Sequence, residues 1–553
     1  MTQGQDFLPL NGFKGDFMTV YYNGKVYTGS LPLCTAFAVE ADSFVFAGSD
    51  TEALALPGEK IDLQGAFVCP GFNDSHMHLL SFGQALSTAP LHEHSHSLSD
   101  MLLCLSDFLT SGKALRGGWL VGRGWNHDLF EDEQRMPNRY DLDKVSREVP
   151  ICAVRACGHA LSVNSKALEL LGISADPPQI EGGRIDMENA EPSGIFFDNA
   201  IELVYAAIPV PTVPELKNMI RAACKALNSY GVTSCQTDDY CLFRTLPWQA
   251  VNQAYEELEA EGELTVKVYQ QANFTQLQAL KDFVAAGKNT GVGTEMYKIG
   301  PLKMLGDGAL GSRTAYLSRP YADAPQTRGI PVFTQQTFDE MIGYANSVGM
   351  QCAIHSIGDA CLDSVLAAFE KALGANPRPD HRHGIVHCQI TRPEQLEKLA
   401  EMKMHIYAQS IFLDYDINIV QQRVGPELAR SSYCWKSLKE MGATVSNGTD
   451  CPVELPKALS GILCAVTRKT LGGAGPYLPQ EAFSVQEALD SYTAAGAYSS
   501  VEENVNGRIA PGYKADFVIL AQSPFEISPE HIKDIPILAT YLNGRQAYPY
   551  PDS

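Results

Sequence analysis

The sequence predicts an α/β protein: a (β/α)8 TIM-like barrel with an inserted subdomain and a small β-sandwich domain formed by both termini. Three observations support this fold class. Short β-rich runs occupy both ends of the chain, eight further runs end in polar turns, and stretches with helical spacing separate several of those runs. Alternating strands and helices are typical of a parallel sheet, and eight such units indicate a closed barrel.

The N-terminal runs alternate in polarity and are separated by Gly, Asn and Asp, as in a β-meander, and the last 50 residues have the same pattern. Chain ends usually lie near each other, and a lone hairpin is only marginally stable. We therefore predict one sandwich domain assembled from residues 1–68 and 501–553.

The barrel is predicted over residues 69–500. Apolar, β-rich runs there stand before polar turns, and helical stretches such as "CLDSVLAAFEKALGA" lie between them. The eight runs are "AFVCPGFNDSHMH", "GVTSCQTD", "LTVKVYQQANF", "YKIGPLKML", "MQCAIHSIGD", "HGIVHCQ", "MHIYAQSIFL" and "ATVSNGTDCP".

An insertion is predicted over about residues 85–228. A βαβ motif takes roughly 30 residues, whereas residues 80–230 separate the first two runs. The segment has its own strand and helix signals, such as "WLVGRGW" and "SVNSKALELLG". Insertions on the loop face of a barrel usually shape access to a site.

Composition excludes several functional classes. The chain has 45% hydrophobic residues and no apolar run long enough to span a membrane, so we expect a soluble protein without a membrane partner. The net charge of −22 repels phosphate backbones and argues against a nucleic-acid partner. Fourteen cysteines without a CxxC pair, and no secretory signal, are typical of a cytoplasmic protein without structural disulfides.

The candidate functional residues lie at the ends of the barrel runs. In an α/β barrel, reactive groups cluster where strands end and βα loops begin. Residues two positions apart on a strand face the same side, so the two imidazoles of the first run can face one point in the barrel mouth. The residues at these ends are His76, His78, Lys303, His355, His387 and Asp450.

Imidazole nitrogens and a carboxylate suit a first-row dication such as Zn²⁺, with an open position for water. An ammonium at Lys303 would repel that cation unless burial deprotonates it. Asp450 can accept a proton from water that a cation has activated.

The motifs "PGFNDSHMH", "PLKMLGDGALGSRTA", "AIHSIGD", "IVHCQ" and "SNGTDCPV", closed by "GRIAPGYKADFVIL", resemble the amidohydrolase superfamily. The resemblance is strongest to its YtcJ-like, N-substituted formamide deformylase-like branch, amidohydrolase family 3, and covers almost the whole chain. It implies a distorted eight-fold barrel, a terminal sandwich domain, and one or two divalent metals that activate water against a C–N bond. The ligand types favour zinc as that metal. A homodimer is the oligomer that it implies.

The resemblance also implies a role for each residue. His76 and His78 would bind the first metal, a carbamylated Lys303 would bridge, and His355 and His387 would hold the second metal. Addition of CO₂ turns the lysine ammonium into a carboxylate, which removes the conflict with a cation.

Asp450 would ligate the first metal and act as general base. The sequence departs from the family at Val386, where an acidic residue usually precedes the sixth-strand histidine.

Four residues of the insertion have family counterparts near the active-site mouth: Trp125, Asp128, His159 and Asn164. They could contact the substrate or pack the loops, and the sequence favours neither interpretation over the other. Arg313 could pair with a substrate carboxylate or with a local acid, and the local salt bridge is slightly favoured.

Other reactive side chains receive structural interpretations. A polar stretch without a surrounding strand predicts a solvated loop for His92, His94 and His96. Cys388 and Cys451 have no paired base nearby in sequence, which argues against a thiol nucleophile.

The sequence therefore predicts a metal-dependent amidohydrolase that cleaves an amide-like C–N bond of a small molecule. Two alternatives stay open: a deaminase on the same scaffold, and a non-catalytic barrel scaffold. Ammonia release would distinguish the first, and absence of stoichiometric metal would distinguish the second.

Overall fold

The computed structural model describes residues 18–112, 115–243 and 245–549, which form two compact units. The first unit extends to Leu79 and continues over Cys224–Cys241 and from Glu261 onward; the second is Leu80–Ala223 with Leu242–Ala260. Residues 1–17 and 550–553 of the predicted sandwich lie outside the described residues.

The N-terminal segment of the first unit consists of short strands joined by tight turns. In chain order its elements are β1 (Thr19–Tyr22), β2 (Lys25–Val26), β3 (Ala36–Glu40), β4 (Ser43–Gly48), α1 (Asp50–Leu54), β5 (Glu59–Asp62) and β6 (Phe67–Pro70). Ser49 begins α1 with a capping box, in which its hydroxyl and the Glu52 carboxylate each accept from the other residue's backbone nitrogen.

The chain then forms the first barrel strand and the elements of the second unit. They are β7 (Phe72–Met77), α2 (Leu79–Leu86), β8 (Ala89–Pro90), α3 (Leu98–Thr110), β9 (Leu120–Trp125), α4 (Arg139–Leu142), β10 (Ile151–Arg155), β11 (Ala160–Val163), α5 (Ser165–Leu171), β12 (Gly183–Glu188), β13 (Glu191–Asp198), α6 (Ile201–Ala207) and α7 (Val213–Ser229). The second unit contains a six-stranded sheet of order β12-β13-β11-β10-β9-β8. Separate apolar clusters pack around Leu105 and around Phe196.

The rest of the barrel alternates strands with helices. Its elements are β14 (Val232–Thr237), α8 (Trp248–Ala260), β15 (Lys267–Asn273), α9 (Leu277–Ala285), β16 (Tyr297–Leu305), α10 (Gln335–Ser347), β17 (Cys352–Ser356), α11 (Asp359–Ala375), β18 (Gly384–His387), α12 (Pro393–Glu401), β19 (His405–Ala408), α13 (Leu413–Asp416), α14 (Val420–Ala429), α15 (Trp435–Glu440) and β20 (Thr444–Asn447). All strand pairs in the eight-stranded sheet, of order β20-β19-β18-β17-β16-β15-β14-β7, are parallel. The carboxyl ends of these strands therefore share one rim.

The C-terminal elements are α16 (Ala458–Thr467), α17 (Val485–Ser491), α18 (Ala494–Ser499), β21 (Phe517–Leu520), β22 (Ile537–Leu542) and β23 (Arg545–Tyr548). Short 3-10 helices lie at His127–Leu129, Asp239–Cys241, Ser410–Phe412, Pro479–Glu481 and Pro529–Asp534. The last three strands extend a sheet of order β2-β6-β21-β22-β23, and a second sheet has the order β4-β3-β1-β5. Tyr21, Phe37 and Phe517 form part of one buried core between these sheets, so both termini build the sandwich.

One predicted run belongs to two sheets. The run "AFVCPGFNDSHMH" divides at Pro70 and Gly71 into β6, which pairs with β21 of the sandwich, and β7, which pairs with β14 of the barrel. Proline provides no N–H for a ladder, and a Cβ on Gly71 would lie 2.2 Å from the Thr233 hydroxyl oxygen. The chain therefore changes sheets at this dipeptide.

The predicted fold class is confirmed by the eight-stranded parallel barrel and the sandwich of both termini. The predicted domain boundaries stay predictions. Across the described residues, no helix combines the length and the apolarity that crossing a membrane requires.

Candidate metal centre

His76 and His78 lie at the carboxyl end of β7, and both face Asp450. The Oδ1 atom of Asp450 is 3.3 Å from Nε2 of His76 and 2.9 Å from Nε2 of His78. One potential ligand atom from each of the three side chains lies within 4.8 Å of the others. Two imidazoles and a carboxylate at this spacing fit a single divalent cation.

Asp450 reaches this position from the turn that follows β20. Its backbone nitrogen donates to the His76 carbonyl oxygen at 2.8 Å, which ties the last barrel strand to the first. Its φ of 57° lies in the left-handed region, and such backbone strain clusters at functional sites. Asp74 supports the turn by accepting from the Thr449 backbone nitrogen at 2.9 Å, so its carboxylate faces that turn.

Gly448 in this turn has no room for a side chain. A Cβ there would lie 2.4 Å from the His76 backbone nitrogen and 2.7 Å from its carbonyl oxygen. Because backbone atoms cannot move aside as a flexible side chain can, we expect Gly448→Ala to destabilise the protein by about 3 kcal/mol. Thermal unfolding should show a lower midpoint.

Gly343 provides the matched control. It lies inside α10, and a Cβ there would have no heavy atom within 4 Å. Since alanine favours a helix over glycine by roughly 0.5–1 kcal/mol, Gly343→Ala should leave the midpoint unchanged or raise it. An unfolding midpoint for Gly448→Ala equal to that of the wild type would contradict the steric argument.

Lys303 lies on β16 and is buried. Its Nζ is 3.1 Å from Nε2 of His76 and 3.8 Å from Oδ2 of Asp238. Burial lowers the pKa of Lys303, while the charges of Asp238 and Asp450 act in the opposite direction. A lowered pKa increases the fraction of neutral amine, the form that tolerates a nearby cation.

His355 and His387 lie on neighbouring strands, with ring centroids 4.5 Å apart, and the His387 ring is 5.5 Å from that of His76. The Gln409 Oε1 atom is 2.8 Å from Nδ1 of His387, and the Gly308 carbonyl oxygen is 3.2 Å from Nε2 of His355. These contacts occupy one nitrogen of each ring and leave Nε2 of His387 and Nδ1 of His355 for another ligand. His387 also has a left-handed φ of 74°.

The pKa values of the site residues are shifted in different directions. Burial lowers the pKa of His76 to about 4 and holds the pKa of His387 well below its usual range. Burial also acts to lower the pKa of His78, but Asp238 and Asp450 outweigh it and raise that pKa to about 10. Burial opposes ionisation of Asp450, yet hydrogen bonds from His76 and His78 hold its pKa well below the usual range. Since a cation binds neutral imidazole, ligation by His78 would release a proton.

Two acidic residues beside the site are absent from the predicted ligand set. Asp238 follows β14, and its Oδ1 is in contact with Nδ1 of His78. Asp307 follows β16, and its Oδ1 lies 3.3 Å from Nε2 of His355. Both follow barrel strands, which is the signal that could have identified them.

Two candidate substrate contacts of the insertion are buried in the second unit and bonded to backbone groups. The indole nitrogen of Trp125 donates to the Ala153 carbonyl oxygen at 2.9 Å. The Asn164 side chain caps α5 by accepting from the Ala167 backbone nitrogen at 3.1 Å. Neither side chain belongs to the cluster around His76.

The other two candidates in the second unit are exposed. Asp128 forms an ion pair with Arg155 at 2.7 Å. His159 is 79% exposed, with Nδ1 3.5 Å from Oδ1 of Asp198. Substrate contact by these insertion residues stays a prediction.

Arg313 lies in the first unit and pairs with a local acid. Its Nε and Nη2 donate to the two carboxylate oxygens of Asp323 at 3.1 and 2.8 Å. A substrate carboxylate would therefore have to compete with Asp323 for this guanidinium.

The other reactive side chains do not add to the site. Within the described part of the chain, the group of side chains that could hold a cation consists of His76, His78 and Asp450. The residues His92, His94 and His96 do not belong to it. His94 is instead paired with Asp100 at 3.0 Å. Burial raises the pKa of both Cys388 and Cys451, which disfavours a reactive thiolate.

A parallel barrel that gathers imidazoles, a lysine and a carboxylate at one rim defines a class of hydrolases that use a divalent cation. Comparison with known proteins then identifies the family. The model described as "Amidohydrolase family" matches residues 59–548, so the chain belongs to the amidohydrolase family.

Individual relatives agree with this family. The chain is 33% identical to the putative amidohydrolase YtcJ of Bacillus subtilis (strain 168), over 89% of this chain and 90% of the relative. It is 24% identical to the N-substituted formamide deformylase of Arthrobacter pascens, over 96% and 98% of the two chains. The crystal structure of an uncharacterized metal-dependent hydrolase from Pyrococcus furiosus is similar, with a TM-score of 0.76 and 30% identity over 92% of this chain and 100% of that one.

The predicted resemblance and the predicted class, a metal-dependent hydrolase acting on carbon–nitrogen bonds, are confirmed by the family match and these relatives.

Proposed function

We propose that the protein hydrolyses an amide-like C–N bond of a small molecule at the rim of the barrel. The observation that supports this site is that residues from the two edge strands of the eight-stranded sheet come together: the end of β7 and the turn after β20 contribute His76, His78 and Asp450. The strands β16, β17 and β18 contribute the other candidate ligands. The proposed metal residues are His76, His78, Lys303, His355, His387 and Asp450.

The donor set supports zinc as the cation, with one or two ions bound. Nitrogen and carboxylate ligands suit Zn²⁺, and His76, His78 and Asp450 alone supply three ligands with an open position. When bound, such a cation polarises a carbonyl group and makes water a better nucleophile near neutral pH.

The protein's own residues would then position the substrate and move one proton. Asp450 accepts a proton from the attacking water and delivers it to the leaving nitrogen, which departs as a neutral amine. The approach of two imidazoles to its Oδ1 supports an ionised carboxylate that is ready to accept this proton.

Carbamylation of Lys303 is a further part of the proposal. The neutral amine would add to the carbon of CO₂ and lose a proton, which leaves a carbamate with two oxygen ligands. Burial of Nζ beside His76 supports this step, because an ammonium so close to a ligand imidazole would repel a cation.

The proposal also covers the cellular compartment, the partners and the oligomeric state. Fourteen cysteines with free thiols support a reducing, cytoplasmic compartment. The net charge of −22 supports small-molecule substrates without a nucleic-acid partner. A homodimer is proposed from the family resemblance, and light scattering on purified protein tests it.

A product assay tests the proposed reaction. Zinc-loaded protein should release a carboxylic acid and an amine in equal amounts from a panel of amides. Release of ammonia from ring substrates in place of these products would favour the deaminase. Absence of stoichiometric metal from protein purified without chelator, together with neither reaction, would favour the non-catalytic scaffold.

The side chains that follow the strands at the ligand end of the barrel indicate that the substrate carries an apolar group. Large apolar side chains are exposed there, although this is where the strands end and the ligands lie. Leu305, two residues after Lys303, is 41% exposed, and Val453, whose backbone nitrogen donates to the Asp450 carbonyl, is 64% exposed. Other exposed apolar residues that follow barrel strands are Ile330, Val332 and Leu455, and Tyr415 in α13.

Substrates with longer apolar substituents should therefore react faster. Burial of one methylene contributes about 0.8 kcal/mol, so kcat/KM should rise by up to about 4-fold per methylene in a series of N-alkyl amides. Leu305→Ser should flatten this dependence. Val292→Ser is the control, because Val292 is equally exposed but precedes β16 at the opposite end of the barrel. A series with constant kcat/KM would contradict the apolar assignment.

A further inference from the structure

Asp238 is a buried acidic residue beside the candidate metal centre, and it does not belong to the predicted ligand set. It follows β14, the strand beside β7, and its side chain is 3% exposed. Each carboxylate oxygen lies beside a side-chain nitrogen. Oδ1 contacts Nδ1 of His78, while Oδ2 accepts from Nδ2 of Asn273 at 3.3 Å and lies 3.8 Å from Nζ of Lys303.

These contacts fix the orientation of His78. Both ring nitrogens lie beside a carboxylate, but only Asp450 belongs to the proposed ligand set. A cation held there would take the lone pair of Nε2, so the single hydrogen of the neutral ring would lie on Nδ1, beside Asp238. Nε2 is the atom that faces Asp450, at 2.9 Å. Carboxylates that orient ligand histidines in this way commonly change metal affinity 10- to 100-fold when removed.

His78 needs such support more than its neighbours do. It lies one residue beyond the end of β7, and its side chain is 29% exposed, compared with 1% for His76. A ring outside the strand and partly in solvent can rotate about its side-chain torsions unless a partner holds it.

Asp238 is itself held in place. The amide of Asn273 donates to Oδ2, and Asn273 lies in register with Lys303 on the adjacent strands β15 and β16. The carboxylate therefore links the first, second, third and fourth strands of the barrel at the ligand end.

We infer that Asp238 is a positioning residue, which holds His78 in the tautomer and orientation that place Nε2 at the cation. This inference rests on the proposed metal binding. It assigns Asp238 no contact with the substrate and no proton transfer.

The test measures zinc affinity in the full chain by competition with a chromogenic chelator. Asp238→Ala should weaken zinc binding 10- to 100-fold. Asp238→Asn should weaken it less, because the amide oxygen can still accept from Nδ1. At saturating zinc, kcat of Asp238→Asn should return to within a few-fold of the wild-type value.

A double-mutant cycle separates positioning from a general effect of charge. In a His78→Ala background, Asp238→Ala should change zinc affinity less than 2-fold, because the ring it positions is gone. Asp359→Ala is the matched control: Asp359 is a buried carboxylate paired with Ser318 and Arg392, and its loss should leave zinc affinity unchanged.

Equal losses of affinity with and without His78 would overturn the inference, as would wild-type affinity in Asp238→Ala. If Asp238→Ala fails to fold, the same cycle with Asp238→Asn decides. Failure of the proposed metal binding is distinguishable, since the wild-type protein would then bind no zinc in the same titration, and the product assay tests the reaction separately.

Discussion

Replacing Asp450 by Asn is expected to lower kcat by about 1000-fold while zinc remains bound, since general acid–base catalysis contributes roughly 100- to 10,000-fold. The amide oxygen of Asn can still face His76 and His78, but it cannot accept a proton from water at neutral pH. The leaving nitrogen would also lose its proton donor. Steady-state kinetics combined with metal analysis of the same preparation checks both parts of this expectation.

The comparison needs a variant that loses a buried carboxylate elsewhere. Asp359→Asn fulfils this purpose, because the Asp359 carboxylate binds Arg392 and the Ser318 backbone nitrogen. Its kcat should stay within a few-fold of the wild-type value. Wild-type turnover of Asp450→Asn with zinc bound would assign the base to another residue.

The fold was predictable because parallel barrel strands are buried on both faces. Such strands appear in the sequence as nearly continuous apolar runs, and β16 coincides with the predicted run "YKIGPLKML" from Tyr297 to Leu305. The division at Pro70 was harder to predict. An apolar run does not reveal which of two sheets each half will join, because that depends on pairing with β14 and β21, which are distant in sequence.

The position of the candidate ligands at one rim was predictable for a related reason. Parallel strands place their carboxyl ends on one rim, so a residue such as His355 can be assigned to the rim from its position in a run alone. The acidic residues that contact these ligands were not predictable from the sequence. Asp238 and Asp239 are adjacent in sequence, and only the turn after β14 determines that Asp238 contacts His78.

The insertion illustrates the limit of local patterns. Asn164 and His159 belong to one short motif, yet Asn164 is a buried helix cap and His159 is largely exposed. A polar residue beside an apolar run is equally compatible with capping and with ligand contact. The difference arises from the backbone conformation at each position, which residue type does not determine.

Removing the metal is expected to abolish activity, to below about 1% of the initial rate, and zinc should restore it. The reason is that no side chain at the rim provides the Lewis acidity that amide hydrolysis near neutral pH requires. Incubation with a chelator, followed by gel filtration and titration with zinc, measures this effect. Chelator already saturated with zinc is the control for direct inhibition.

Binding of the metal should also stabilise the fold, which provides a second measurement without a substrate. A ligand at 100 times its Kd stabilises the native state by about 2.7 kcal/mol, so the unfolding midpoint should rise on addition of zinc. His76→Ala should remove most of this rise, because it deletes a ligand that faces both Asp450 and Lys303.

The same reconstitution tests Lys303. A carbamate forms from CO₂, so recovery of activity should be faster in bicarbonate-containing buffer than in buffer depleted of CO₂. Lys303→Arg keeps a positive charge and cannot form this carbamate, so its recovery should be independent of bicarbonate. Full activity after chelation, with zinc absent by elemental analysis, would contradict a metal-dependent reaction. Recovery of wild-type activity at the same rate with and without bicarbonate would contradict only the carbamate.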